Sequence, residues 1–167
     1  MQTRNMPITL LFAAILVLLC IKYVGATELE DIEEYISSSS HTTKDACAED
    51  VAELIVTVAE EQKLDPWVLV FIAERESGFN IWIVGGAGER GLLQVHPIHV
   101  YRFNDYGLDW SDYADCFRFG VCMLREGATK GKTLYSSMRP WSVRDKAGVY
   151  NRYVKHNGGT EDGWFYD

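Results

Sequence analysis

The stretch Asp65-Pro66-Trp67-Val68-Leu69-Val70-Phe71-Ile72-Ala73-Glu74-Arg75-Glu76-Ser77-Gly78-Phe79-Asn80 decides the fold. Asp65 before Pro66 reads as a helix N-cap followed by the first helical residue. The run from Trp67 to Ala73 is apolar all the way round, which predicts a helix buried in a core over Pro66 to Ser77. Glu76 follows Ile72 by four residues and Leu69 by seven, so the helical repeat carries its carboxyl group onto the face those residues bury. Desolvation there disfavours the ionised form, the direction that lets a carboxyl group hold a proton to donate. Glu74 lies on a different face and is expected to be an ordinary surface residue.

A glycine-rich turn separates this helix from Gly91-Leu92-Leu93-Gln94-Val95-His96-Pro97, which brings a polar amide at Gln94. Taken together, the residues from about Val51 to Asn151 resemble the soluble lytic transglycosylase family. Glu76, Ser77, Phe79 and Asn80 match its first block, and Gly88, Gly91, Leu92 and Gln94 match its second at the family's spacing. Tyr150-Asn151 match a later element. The chain departs from the pattern at Ile81 (often Pro), Ile83 (often Ala), Gly85 (often Ser) and Glu89 (often Ala). In Cys116 to Leu124 only Gly120 and Leu124 survive of the family's corresponding helix, and larger residues follow Asn151.

The resemblance implies a mainly α, goose-lysozyme-like helical domain with little or no β-sheet, which cleaves bacterial peptidoglycan without a cofactor. It implies Glu76 as the sole general acid and base, with Ser77 and Gln94 orienting it and the substrate's acetamido group. Tyr150 and Asn151 are expected near the reacting centre. Glu89 is a further substrate-contacting candidate, and as a second carboxylate it opens the alternative of a hydrolytic muramidase, since ordinary glycosidases use two. A non-catalytic wall-binding component of an assembly machine is the third reading, against which the retained Glu76, Gln94, Tyr150 and Asn151 all weigh.

Helices are also expected near Asp45 to Gln62, Leu92 or Pro97 to Phe103, Asp112 to Glu126 and Ser142 to Lys155, with at best one short strand around Ile81 to Val84. Gly86-x-Gly88-x-x-Gly91 spells a dinucleotide-binding fingerprint, but Pro97 cuts short any helix after it and no alternation of strands and helices follows. These glycines are expected to form tight turns beside a cleft.

The N-terminal residues 1–26 have the layout of a targeting segment: Arg4, then a nearly continuous apolar run from Ile8 to Ile21, then Val24-Gly25-Ala26. The run falls short of the roughly 20 residues of a comfortable span, which favours a cleaved signal peptide over an inner-membrane anchor. Either delivers the domain to the periplasm or outside the cell. Residues 27–45, acidic and then Ser-rich, read as a linker, a flexible tether or a frayed helix. The catalytic domain is expected over 46–167. It is expected to act as a monomer on peptidoglycan glycan strands, in local wall opening for a secretion, conjugation or phage machine.

Cys47, Cys116 and Cys122 lie beyond the targeting segment. In one helix, Cys116 and Cys122 would stand about 9 Å apart along the axis on nearly opposite sides, too far to join. That leaves Cys47 paired with one of them, or two buried thiols and one surface thiol. The cysteines and the histidines, including His96 and His99, form no metal-site spacing. A net charge of −8 excludes nucleic acid as a partner, because phosphate binding needs clustered Lys and Arg. Of the aromatics, Trp82, Tyr101, Trp110, Tyr113, Trp141, Tyr150 and Tyr153 are candidates for stacking on sugar rings, two or three of them in contact with substrate.

Overall fold

The computed structural model describes residues 27–39, 47–138 and 145–166. Residues 27–38 form helix α1. Then follow α2 (Ala48–Gln62), α3 (Pro66–Ser77), a 3-10 helix (Pro97–Tyr106), α4 (Tyr113–Thr129), the single turn α5 (Leu134–Ser137) and α6 (Lys146–His156). Pairing among the described residues amounts to isolated bridges, so the expected mainly α class holds and the short strand is reduced to one bridged residue, Val84.

Helix α3 begins and ends where local chemistry dictates. The Asp65 side chain accepts a hydrogen bond from the Trp67 N–H, Pro66 opens the helix, and Gly78 closes it in the left-handed conformation while its N–H reaches the Glu74 carbonyl. Val68, Leu69, Val70, Ile72 and Ala73 between these caps are wholly buried. Burying each larger aliphatic side chain contributes about 1.5–3 kcal/mol, so this helix anchors the core. Helix α2 supplies a matching stripe of Val51, Ala52, Ile55, Val58 and Ala59, with Glu49 and Asp50 set favourably in its first turn.

Around α3 lie α2 and α6, while α4 packs against α2 and α5. Asp65 does double duty, because its second carboxylate oxygen accepts from the buried Tyr153 hydroxyl of α6 at 2.9 Å. The chain end returns to the same place: Leu64 bridges Phe165, and the Asp65 N–H donates to the Trp164 carbonyl.

Of the two readings of 27–45, a flexible tether or a frayed helix, the structure has a helix across 27–38, and a docked one. Ile32 and Ile36 of α1 are 0 % exposed and join the main core, and Tyr35 meets Trp67 and Phe71 edge-on. The acidic residues had suggested a solvated segment; the apolar residues four apart between them form the face that docks. The remainder of that linker at 40–46 lies outside the described residues. So does the 1–26 segment, and no helix among the described residues is long and apolar enough to cross a membrane.

Candidate active site

Glu76 stands one residue before the end of α3 and is half-buried, at the edge of the face formed by Leu69 and Ile72. Immediately after it the backbone turns sharply, with Gly78 and then Phe79 left-handed, at φ 59° and 64°. A phenylalanine pays a steric cost in this conformation, which full burial of its ring offsets. Asn80 steadies the next turn by accepting the Trp82 N–H on its side chain.

Residues 80–95 then fold into a compact loop. Arg90 and Val95 exchange two backbone hydrogen bonds of 3.0 Å, and the Gly91 N–H donates to the Ile83 carbonyl. Gly91 is left-handed where the loop passes α4, and a side chain there would stand 3.4 Å from the Tyr113 carbonyl. The glycines of the apparent nucleotide motif therefore hold turns.

Gln94, at φ 48°, is a further non-glycine residue of this loop in the left-handed region. Its side-chain amide donates to the Gly91 carbonyl at 2.9 Å and the Ile83 carbonyl at 3.4 Å. Its oxygen is thereby turned toward Gly85. The Glu89 carboxylate reaches the same spot: a β-carbon on Gly85 would lie 2.4 Å from Glu89 Oε2 and 2.7 Å from Gln94 Oε1. Glu89 Oε2 also accepts the Ala87 N–H at 2.9 Å, which fixes the carboxylate across the turn. The loop thus brings Glu89 and Gln94 together.

Other expected site residues are placed differently. Ser77 is 7 % exposed and its hydroxyl donates to the Ala73 carbonyl one turn back, so its proton is committed to the helix. Tyr150, half-buried on α6, packs edge-on against Tyr135, while Asn151 beside it is exposed. Trp82 is 58 % exposed and meets Tyr113 edge-on, and the Arg90 guanidinium lies over both Tyr113 and Trp110. This patch and the exposed Tyr101 keep aromatic surface available, whereas Tyr153 is core. Trp141 lies outside the described residues. His96 caps the 3-10 helix by accepting the Ile98 N–H on Nδ1, and His99 leans on Phe119.

Glu74 is the residue that the sequence misplaced. Its side chain is 12 % exposed, accepts the Tyr35 hydroxyl at 2.8 Å and pairs with Arg152 at 2.5 Å. It ties α1 and α6 to α3 two residues before Glu76, and burial together with Glu74 pushes the Tyr35 hydroxyl up to about 12. The cysteines follow the unpaired alternative: Cys47 is exposed, Cys116 is buried with its Sγ 3.3 Å from the Trp110 carbonyl, and Cys122 is half-buried. Burial pushes the Cys116 thiol up to about 12. Among the described residues no group of three or more His, Cys, Asp or Glu side chains could hold a metal ion.

Compared with known proteins, residues 53–132 match the family model of the transglycosylase SLT domain, a stretch that contains Glu76, Glu89 and Gln94. Neither the curated proteins nor the solved structures include a match to the chain.

Proposed function

Because residues 53–132 belong to the transglycosylase SLT family, whose helical domains are lysozyme-like and act on peptidoglycan, we propose that this chain is a lytic transglycosylase with Glu76 as its single general acid and base. One observation carries the reading. A half-buried carboxyl group stands at the end of a core helix, and the loop that follows it, with Phe79 and Gln94 both in the left-handed region, holds the Gln94 amide on the Gly91 carbonyl.

In the proposed reaction, Glu76 protonates the glycosidic oxygen between N-acetylmuramic acid and N-acetylglucosamine, and that C–O bond breaks. The neighbouring acetamido oxygen supports the electron-poor anomeric carbon. Glu76, now a carboxylate, takes the proton of the C6 hydroxyl, whose oxygen closes a 1,6-anhydro ring on the anomeric carbon. Attack within one sugar carries a high effective concentration, so a second carboxylate to activate water is not needed. The Gln94 amide oxygen can accept from an acetamido N–H, since its N–H donors are already spent on the loop. Tyr150 and Asn151 are assigned to the substrate side of α6, and Ser77 to bracing the last turn of α3. The polymer places the enzyme outside the cytoplasmic membrane.

The position of Glu89 beside Gln94 favours one second reading, a hydrolytic muramidase in which Glu89 activates water. Its bond to the Ala87 N–H weighs toward a turn-holding role instead. Mass spectrometry of products from purified peptidoglycan separates the two: anhydro-muropeptides are expected, and reducing ends alone would establish hydrolysis. E76Q should lower the rate by roughly 10²–10⁴-fold. Unchanged wall cleavage by E76Q would refute the mechanism.

A further inference from the structure

A cavity of about 310 Å³ lies between the 3-10 helix, the last turns of α4 and α5. Arg102, Lys130 and Lys132 line it together with a single carboxylate, Glu126, so its charge runs against the −8 of the whole chain. Glu126 is already engaged. Arg102 donates to it at 2.7 Å, the Tyr106 hydroxyl bonds the same oxygen, and Lys130 stands 3.6 Å from the other. Lys132 is exposed and forms no ion pair among the described residues.

Ser137 supplies an independent observation. It is 1 % exposed, lines this cavity, and its hydroxyl is buried with no hydrogen-bond partner among the described residues. A buried hydroxyl left unpaired is costly, and such a group marks a place where an acceptor is missing. Gly127 makes the room, since a β-carbon there would stand 2.4 Å from the Ser137 oxygen.

The cavity is also aligned with the catalytic loop. Gly120 of α4 presses against Leu93 and Val95, the two neighbours of Gln94. Met123 and Gly127 continue the same helical face, which places the cavity about 10 Å farther along α4.

We propose that this cavity is an anion subsite that receives a carboxylate of the peptide carried by the muramyl sugar. Lys132 and Arg102 supply the positive charge and the Ser137 hydroxyl a donor. The proposal rests on the peptidoglycan reading, because that polymer brings carboxylate-bearing peptides alongside its glycan strand.

The test measures binding of the E76Q chain to two purified glycan strands, one carrying its peptides and one stripped of them by an amidase. A charge-assisted contact should make the peptide-bearing strand bind about tenfold tighter, and the preference should shrink as salt is raised. K132E and S137A should each bring the ratio of affinities toward one. S137A should melt no lower than its parent, since it removes only an unpartnered hydroxyl. Equal affinity for the two strands, or a preference that survives K132E, overturns the subsite and leaves the wall-cutting reading intact. Binding of neither strand, together with no cleavage by the unsubstituted chain, removes that reading and the subsite with it.

Discussion

Replacing Gly85 by Ser, with and without Glu89→Ala, probes the loop at its tightest point. A β-carbon at 85 would stand 2.4 Å from Glu89 Oε2 and 2.7 Å from Gln94 Oε1, whereas ordinary contact begins at 3.4 Å. The Glu89 oxygen must therefore withdraw by about 1 Å and the Gln94 oxygen by about 0.7 Å to restore normal contact. The backbone at Gly85 lies outside the left-handed region, so the whole effect falls on these two side chains. Withdrawal of Glu89 breaks its bond with the Ala87 N–H, a loss of about 1.5 kcal/mol for a charged acceptor. Glu89→Ala loses the same bond and costs the same amount. In G85S/E89A that bond can be lost only once, so the stability losses should fall short of additivity by about 1.5 kcal/mol. Catalysis should follow Gln94 instead. A shift of its amide approaching 1 Å lowers the rate by up to about 10²-fold in G85S, with partial recovery when Glu89 no longer crowds the loop. Urea unfolding of the four chains, with initial rates of fragment release from purified peptidoglycan, measures both quantities. Stability losses that add within about 0.5 kcal/mol would refute the shared-space argument, and an unchanged rate in G85S would remove Gln94 from the chemistry.

Tyr35→Phe should cost about 1–2 kcal/mol by leaving Glu74 without the hydroxyl that bonds it. The folded Tyr35 hydroxyl titrates near 12 rather than 10, so its contribution is complete below pH 10 and fades as pH rises toward 12. The stability gap between parent and Y35F should therefore stay constant up to pH 10 and narrow as pH rises from 10 toward 12 in urea unfolding, and a constant gap across that range would contradict the assignment. Alkylation of the folded chain at pH 8, followed by peptide mapping, should mark exposed Cys47 and spare Cys116, whose thiol stays protonated. Recovery of a peptide with Cys47 and Cys116 joined by a disulfide would show the free-thiol arrangement to be wrong.

What the sequence disclosed was local. Helix α3 could be bounded at Pro66 and Ser77 because its cap, its first proline and its closing glycine are neighbours in the chain. The mainly α class, by contrast, came from the family resemblance, and the helices observed agree with it. That α1 docks on the core was hidden because its acidic and serine content outweighed the spacing of Leu29, Ile32 and Ile36, a stripe that could have been read. Glu74 was misplaced for a different reason: its partners Tyr35 and Arg152 lie 39 and 78 residues away. The left-handed backbone at Phe79 and Gln94 leaves no trace in residue type, since neither is glycine or asparagine. Glu89 stood out as a departure from the family pattern, but only the geometry at Gly85 shows that its carboxylate occupies the space a side chain at position 85 would take.

The return of residues 164–166 to the α2–α3 joint has a consequence for the order in which the molecule is made. Asp65 caps α3, accepts the Tyr153 hydroxyl and donates its backbone N–H to Trp164, and the adjoining Leu64 pairs with Phe165. Contacts about a hundred residues apart form late, because loop closure must precede them. As the chain emerges from a ribosome, α2 and α4 can assemble on their own stripes and caps, but the joint that sets the start of the Glu76 helix closes only after the aromatic segment at 164–166 has been synthesised. Closure of the joint that starts α3 is therefore coupled to synthesis of the segment around Trp164 and Phe165.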